Sequence, residues 1–120
     1  MLDLANMGLE MIREETDDFS FSFRPSEEHL NINGTVHGGI LFLVCDEAIG
    51  RYVTEKGKIG AAADSEIHFY RPAFAGVKYT VTVSERKTGR RLGNYLVEIR
   101  DGSGKLTADM MFAVMFNDKM

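Results

Sequence analysis

One cysteine, two prolines and no apolar run approaching the ~18 residues that span a bilayer set the first limits on this chain. A lone thiol cannot build an internal disulfide framework, and Cys45 falls inside an apolar segment, which fits a reducing compartment. The opening MLDLANMGLEM has no basic leader followed by an apolar block. A cytoplasmic protein without membrane contact is expected. The net charge is −4 and the basic residues form no long stripe, which argues against a nucleic-acid footprint. Internal repeats, low-complexity tracts and linkers are also missing, so residues 1–120 read as one domain.

What is present is an ordinary globular composition, 44% hydrophobic and 27% charged, enough to bury a core. Leu2 to Glu14 carries apolar residues at near-helical spacing and predicts a short amphipathic N-terminal helix that covers something. Phe19, Phe21 and Phe23 alternate with serines up to Arg24-Pro25, a strand with one aromatic face. Later, Ala61 to Tyr70 alternates until Arg71-Pro72, and Val77, Tyr79, Val81 and Val83 mark a half-buried strand. Thr88-Gly89-Arg90-Arg91 and Asp101-Gly102-Ser103-Gly104 are turn signals that join this strand to Leu92–Arg100 and then to Leu106–Phe116. Three such strands make an antiparallel meander, and its apolar face needs a cover. The expected class is α+β, an antiparallel sheet wrapped around one long helix.

That helix belongs to the stretch NINGTVHGGILFLVCDEAIGRYVTEKG, from Asn31 to Gly57. Gly34, Gly38 and Gly39 lie where a polar loop turns into the helix, and helix starts leave backbone N–H groups unpaired, so the Gly38 region can receive developing negative charge. Asp46 sits amid Leu41, Leu43, Val44, Ala48 and Ile49, where a carboxylate must be paired, hydrated in a cleft or used in chemistry. Eight residues separate Gly38 from Asp46, an axial rise of roughly 12 Å. One carbonyl cannot touch both. If they act together, they come from two copies of the chain, as in a two-fold dimer with helices side by side. Glu47 points about 100° away around the helix and reads as a solvent or contact residue. His29 and His68 lack ligand partners at useful spacing, and no metal site is expected.

Asn31, Gly34 and His37-Gly38-Gly39 followed by Asp46 resemble the signature of the hotdog-fold thioesterases, in particular the PaaI-like branch. Ala63-Asp64-Ser65-Glu66-Ile67-His68-Phe69-Tyr70-Arg71-Pro72-Ala73 is similar to the family's strand after the helix. The resemblance spans roughly Asn31 to Phe116. It implies hydrolysis of an acyl-CoA thioester without a cofactor, coenzyme A being part of the substrate. By position, Asp46 matches the nucleophile or general base, Gly38 the glycine whose N–H polarises the carbonyl, and Asn31 a residue that assists at the carbonyl. His37 matches the motif histidine that shapes the turn. Where some relatives carry a hydroxyl residue that holds the water, this chain reads Ala62 and Asp64, so Asp64 and Ser65 stand as candidates. Gly39 and Phe42 are candidate substrate contacts, and Arg90 and Arg91 candidate partners for the nucleotide phosphates. The implied assembly is a homodimer, extended by the resemblance to a dimer of dimers. A non-catalytic acyl-CoA-binding module and a hotdog hydratase or dehydratase are the competing readings.

Overall fold

The structure, a computed structural model, describes residues 2–117. In chain order the elements are β1 (Ile12–Arg13), β2 (Phe19–Phe23), α1 (Gly38–Glu55), β3 (Ile59–Phe69), β4 (Tyr79–Thr88), β5 (Leu92–Arg100) and β6 (Leu106–Asn117). The strands form one sheet in the order β1-β2-β4-β5-β6-β3, and each neighbouring pair is antiparallel. β4, β5 and β6 are the expected meander. Their alternation aims Val81, Val83, Tyr95, Val97, Ile99, Met110, Phe112 and Val114 inward, where they are buried. Against them α1 sets Leu41, Val44, Cys45, Ala48, Ile49 and Val53, the i, i+3, i+4 stripe of a helix with one covered face.

The N-terminal helix expected over Leu2–Glu14 shrinks to a 3-10 turn, Ala5–Met7. Gly8 closes it with φ 74°, a left-handed conformation that favours glycine, and returns its N–H to Ala5. A segment this short is marginal as a free helix, whereas pairing Ile12 with Ser22 on β2 satisfies backbone groups. The covering role is kept, because Leu4, Leu9 and Met11 are buried in the core.

β3 is the least covered element. Only β6 pairs with it among the described residues, and nine of its eleven residues are exposed. The register slips between Ala62 and Asp64, so Ala63 is an extra residue without a β6 partner. This bulge reverses the phase of the strand. Ala62 pairs with the buried Val114 on the inner side, while Asp64 pairs with Ala113 on the outer side.

Candidate active site

The loop ahead of α1 is fastened almost atom by atom. Asn31 Oδ1 accepts hydrogen bonds from Asn33 N (2.9 Å), Thr35 N (3.2 Å) and Thr35 Oγ1 (3.3 Å), while its own N–H donates to Thr35 O at 2.8 Å. Gly34 turns the chain at φ 79°. Val36 N donates to Ala73 O at 2.7 Å and His37 N to His29 O at 2.9 Å, which ties the loop to the sheet end and to the segment before it. His29 is itself buried, its Nδ1 accepting from Ser26 N at 2.9 Å and its Nε2 lying 2.6 Å from Met7 O. Its spacing in the sequence offers no metal-ligand partner. The structure gives it the joint between the N-terminal strap and the helix entry.

His37 is the N-cap of α1, and its Nδ1 accepts the Gly39 N–H at 3.1 Å. Ile40 N donates to His37 O at 2.9 Å. Gly39 therefore has its donor committed to the cap, and among the first-turn amides of the described residues Gly38 alone has no acceptor. Gly38 also abuts the tip of an aromatic ring, since a Cβ there would stand 3.1 Å from Phe69 Cζ. Gly38 lines a cleft of about 360 Å³ together with Thr35, Val36, Leu41 and Phe69–Ala73.

Asp46 opens onto a different cleft, about 440 Å³, between the C-terminal half of α1 and the start of β3, with Ile49, Val53, Ile59, Ala62 and Val114 in its walls. Partial burial lifts its carboxyl above the usual aspartate range, the nearby Glu47 adds to this, and among the described residues no cation lowers it. Such a carboxylate is a stronger base than one in water. Glu47 instead pairs with Arg51 at 2.8 Å, and Phe42, Asp46 and Gly50 form one exposed row at i, i+4, i+8. Burial, then Asp109 and Asp46, push the fully enclosed Cys45 thiol far up, which leaves it un-nucleophilic.

The remaining candidates are separated by the fold. The bulge puts Asp64 on the outer sheet face, away from the Asp46 cleft of its own protomer, while half-buried Ser65 pairs with Phe112 on the inner side. Arg90 and Arg91 are exposed on the β4–β5 hairpin and form no ion pair among the described residues. Arg91 O accepts the Phe116 N–H, and Lys58 Nζ lies 4.4 Å from the Phe116 ring, so this basic hairpin sits at the Lys58 end of the Asp46 cleft. Lys58 and Phe69 are cleft-lining residues that the sequence reading passed over. Phe69 was legible as the last inward residue of its strand; Lys58 carried no periodic signal.

Residues 33–108 match the family model described as Thioesterase superfamily. The acyl-coenzyme A thioesterase PaaI of Escherichia coli (strain K12) is 29% identical over 102 residues, 85% of this chain and 73% of that protein. Acyl-coenzyme A thioesterase 13 of Homo sapiens is 33% identical over 85 residues, 68% of this chain and 61% of that protein. The solved structure of the E. coli PaaI protein from the phenylacetic acid degradation operon superposes with a TM-score of 0.86 at 26% identity, over 97% of this chain and 84% of that one.

Proposed function

The chain belongs to the thioesterase superfamily, and from that premise we propose that it hydrolyses acyl-CoA thioesters to a free acid and CoA at a site shared by two protomers. The observation that carries the shared site is the separation of its two chemical groups. Gly38, whose N–H has no acceptor among the described residues, and Asp46, whose carboxyl no cation lowers among them, stand on one helix but line two different clefts. A two-fold copy that lays a second α1 alongside the exposed row of the first brings the amide of each chain to the acid of the other, giving two equivalent sites.

In such a site the thioester carbonyl oxygen accepts the Gly38 N–H, at the positive end of the helix dipole. Acting as general base, Asp46 takes a proton from water as the water oxygen attacks the carbonyl carbon. The C–S bond then breaks, and the proton returns to the departing sulfur. Acting as nucleophile, Asp46 displaces CoA thiolate and forms an anhydride that water opens. Single turnover in ¹⁸O-water leaves label in the Asp46 carboxylate only by the second route, with water opening the anhydride at the Asp46 carbon, and hydroxylamine trapping of Asp46 detects the anhydride whichever carbon water attacks. Asn31 retains its NH2 group for the carbonyl region, its Oδ1 being occupied within the loop. Phe42 borders the acyl group, and the nucleotide phosphates, which leave the thioester opposite to the acyl chain, meet Arg90 and Arg91 of the protomer that supplies Gly38. Leu92 and Met115, opposite one another on the outer sheet face and both exposed, support the extension to a dimer of dimers.

The deciding experiment measures thiol release from aryl- and alkyl-acyl-CoAs by the protein and by Asp46→Asn, together with the sedimentation mass. Hydrolysis by a dimer or larger assembly, lowered by about 100-fold or more in the variant, is the expected result. Binding without turnover favours the acyl-CoA-binding module, and hydration of a double bond the hydratase.

A further inference from the structure

We infer that Ile32 of one protomer roofs the acyl cleft of the other and sets the enzyme's preference for acyl chain length; this rests on the shared-site reading above. Ile32 is 100% exposed. It stands there because the hydrogen bonds to both ends of Asn31 close the turn beneath it and leave its side chain no route back to the core. An apolar group held on a fastened loop is already arranged for contact and loses little further freedom on gaining one.

Ile32 is also mechanically joined to the proposed donor. From Asn31 to the helix the chain is fixed by Val36 N to Ala73 O, His37 N to His29 O and the His37 cap, so Ile32 travels wherever Gly38 is placed. If the Gly38 N–H reaches a carbonyl beside the other chain's Asp46, the loop tip comes over the cleft that begins at that acid. The cleft lacks a roof of its own. Its floor is apolar, Ile49, Val53 and Val114 being buried, while its rims are kept low by Gly50, Ala61 and Ala62. It runs from Asp46 past Val53, seven residues of helix or about 10 Å, and ends at Lys58, whose charged Nζ is seated on Phe116. A straight apolar acyl chain of medium length, or an aryl-terminated one, fits that space. Acetyl occupies only the mouth.

The test compares octanoyl-CoA with acetyl-CoA in Ile32→Ser. The octanoyl/acetyl ratio of kcat/KM is expected to fall about tenfold, the cost of removing most of one apolar cover. Mixing this variant with Asp46→Asn places an intact acid opposite an intact Ile32 of the partner subunit, and the mixed dimer is expected to regain the unaltered ratio. An unchanged ratio in Ile32→Ser, or a mixed dimer that keeps the lowered one, overturns the inference while leaving thioester hydrolysis standing. Absence of turnover by the unaltered protein overturns both.

Discussion

At one edge of the sheet β1 contributes two residues, Ile12 and Arg13, with the Arg13 guanidinium 4.1 Å from the Phe19 ring; at the other, β3 runs for eleven, with Ile59 and Phe69 exposed and no strand beyond it among the described residues. The first edge is short and charged, the usual protection against further pairing. The second is long, carries small side chains at Gly60–Ala63 and borders the cleft of Asp46. The same sheet is thus closed on the side remote from the acid and open on the side that holds it. An open edge beside Asp46 is what the proposed shared site requires.

The strongest challenge to this contrast is Ala63→Pro. Ala63 is the bulge residue without a register partner on β6, the kind of position at which a strand tolerates proline, and the fixed φ of proline there disfavours further pairing along the open edge. The expected outcome is a folded monomer in sedimentation whose thioester hydrolysis is down by more than 100-fold. A variant that keeps its assembly and full rate breaks the comparison. Asp46→Asn is expected to lose about 100-fold in kcat while its melting temperature holds or rises. The sign follows from the raised carboxyl: the folded state binds that proton more tightly than the unfolded chain, so the ionised form weighs against folding at neutral pH, and the amide removes the charge.

Gly38→Ala sharpens the donor side. Its Cβ needs the Phe69 ring to yield by a few tenths of an ångström, and kcat should fall about tenfold, with partial recovery when Phe69→Leu is added. Next in size is the pH profile. Activity should fall on acidification through a value above the ordinary aspartate range, and Glu47→Gln should move that limb to lower pH by removing the neighbouring negative charge. The smallest effect belongs to the closed edge, where Ile12→Lys should leave mass and rate within about twofold.

Much of the sheet was legible because Tyr79–Val83 of β4 and the whole of β5 alternate strictly, and each inward residue there found a buried place. The N-terminal segment misled because its spacing counts apolar residues and not backbone conformation. Gly8 breaks the turn, and only the partner strand β2 explains where the next residues go. The bulge was invisible for a related reason: Gly60-Ala61-Ala62-Ala63 contains no polar residue to mark the phase, so the displacement of Asp64 to the outer face needed the register. In the site, Gly38 and Asp46 were named from the loop-to-helix pattern, yet the commitment of the Gly39 N–H to His37 depends on a rotamer that no spacing encodes.

Cys45 carries a practical meaning once turnover is considered. Every cycle of thioester hydrolysis sets free a coenzyme sulfhydryl, and a catalyst with an accessible thiolate would be exposed to capture by the oxidised form of its own product. The enclosed, protonated sulfur of Cys45 is closed to that exchange. Colorimetric thiol reagents in the assay will therefore count released coenzyme and pass over the folded enzyme.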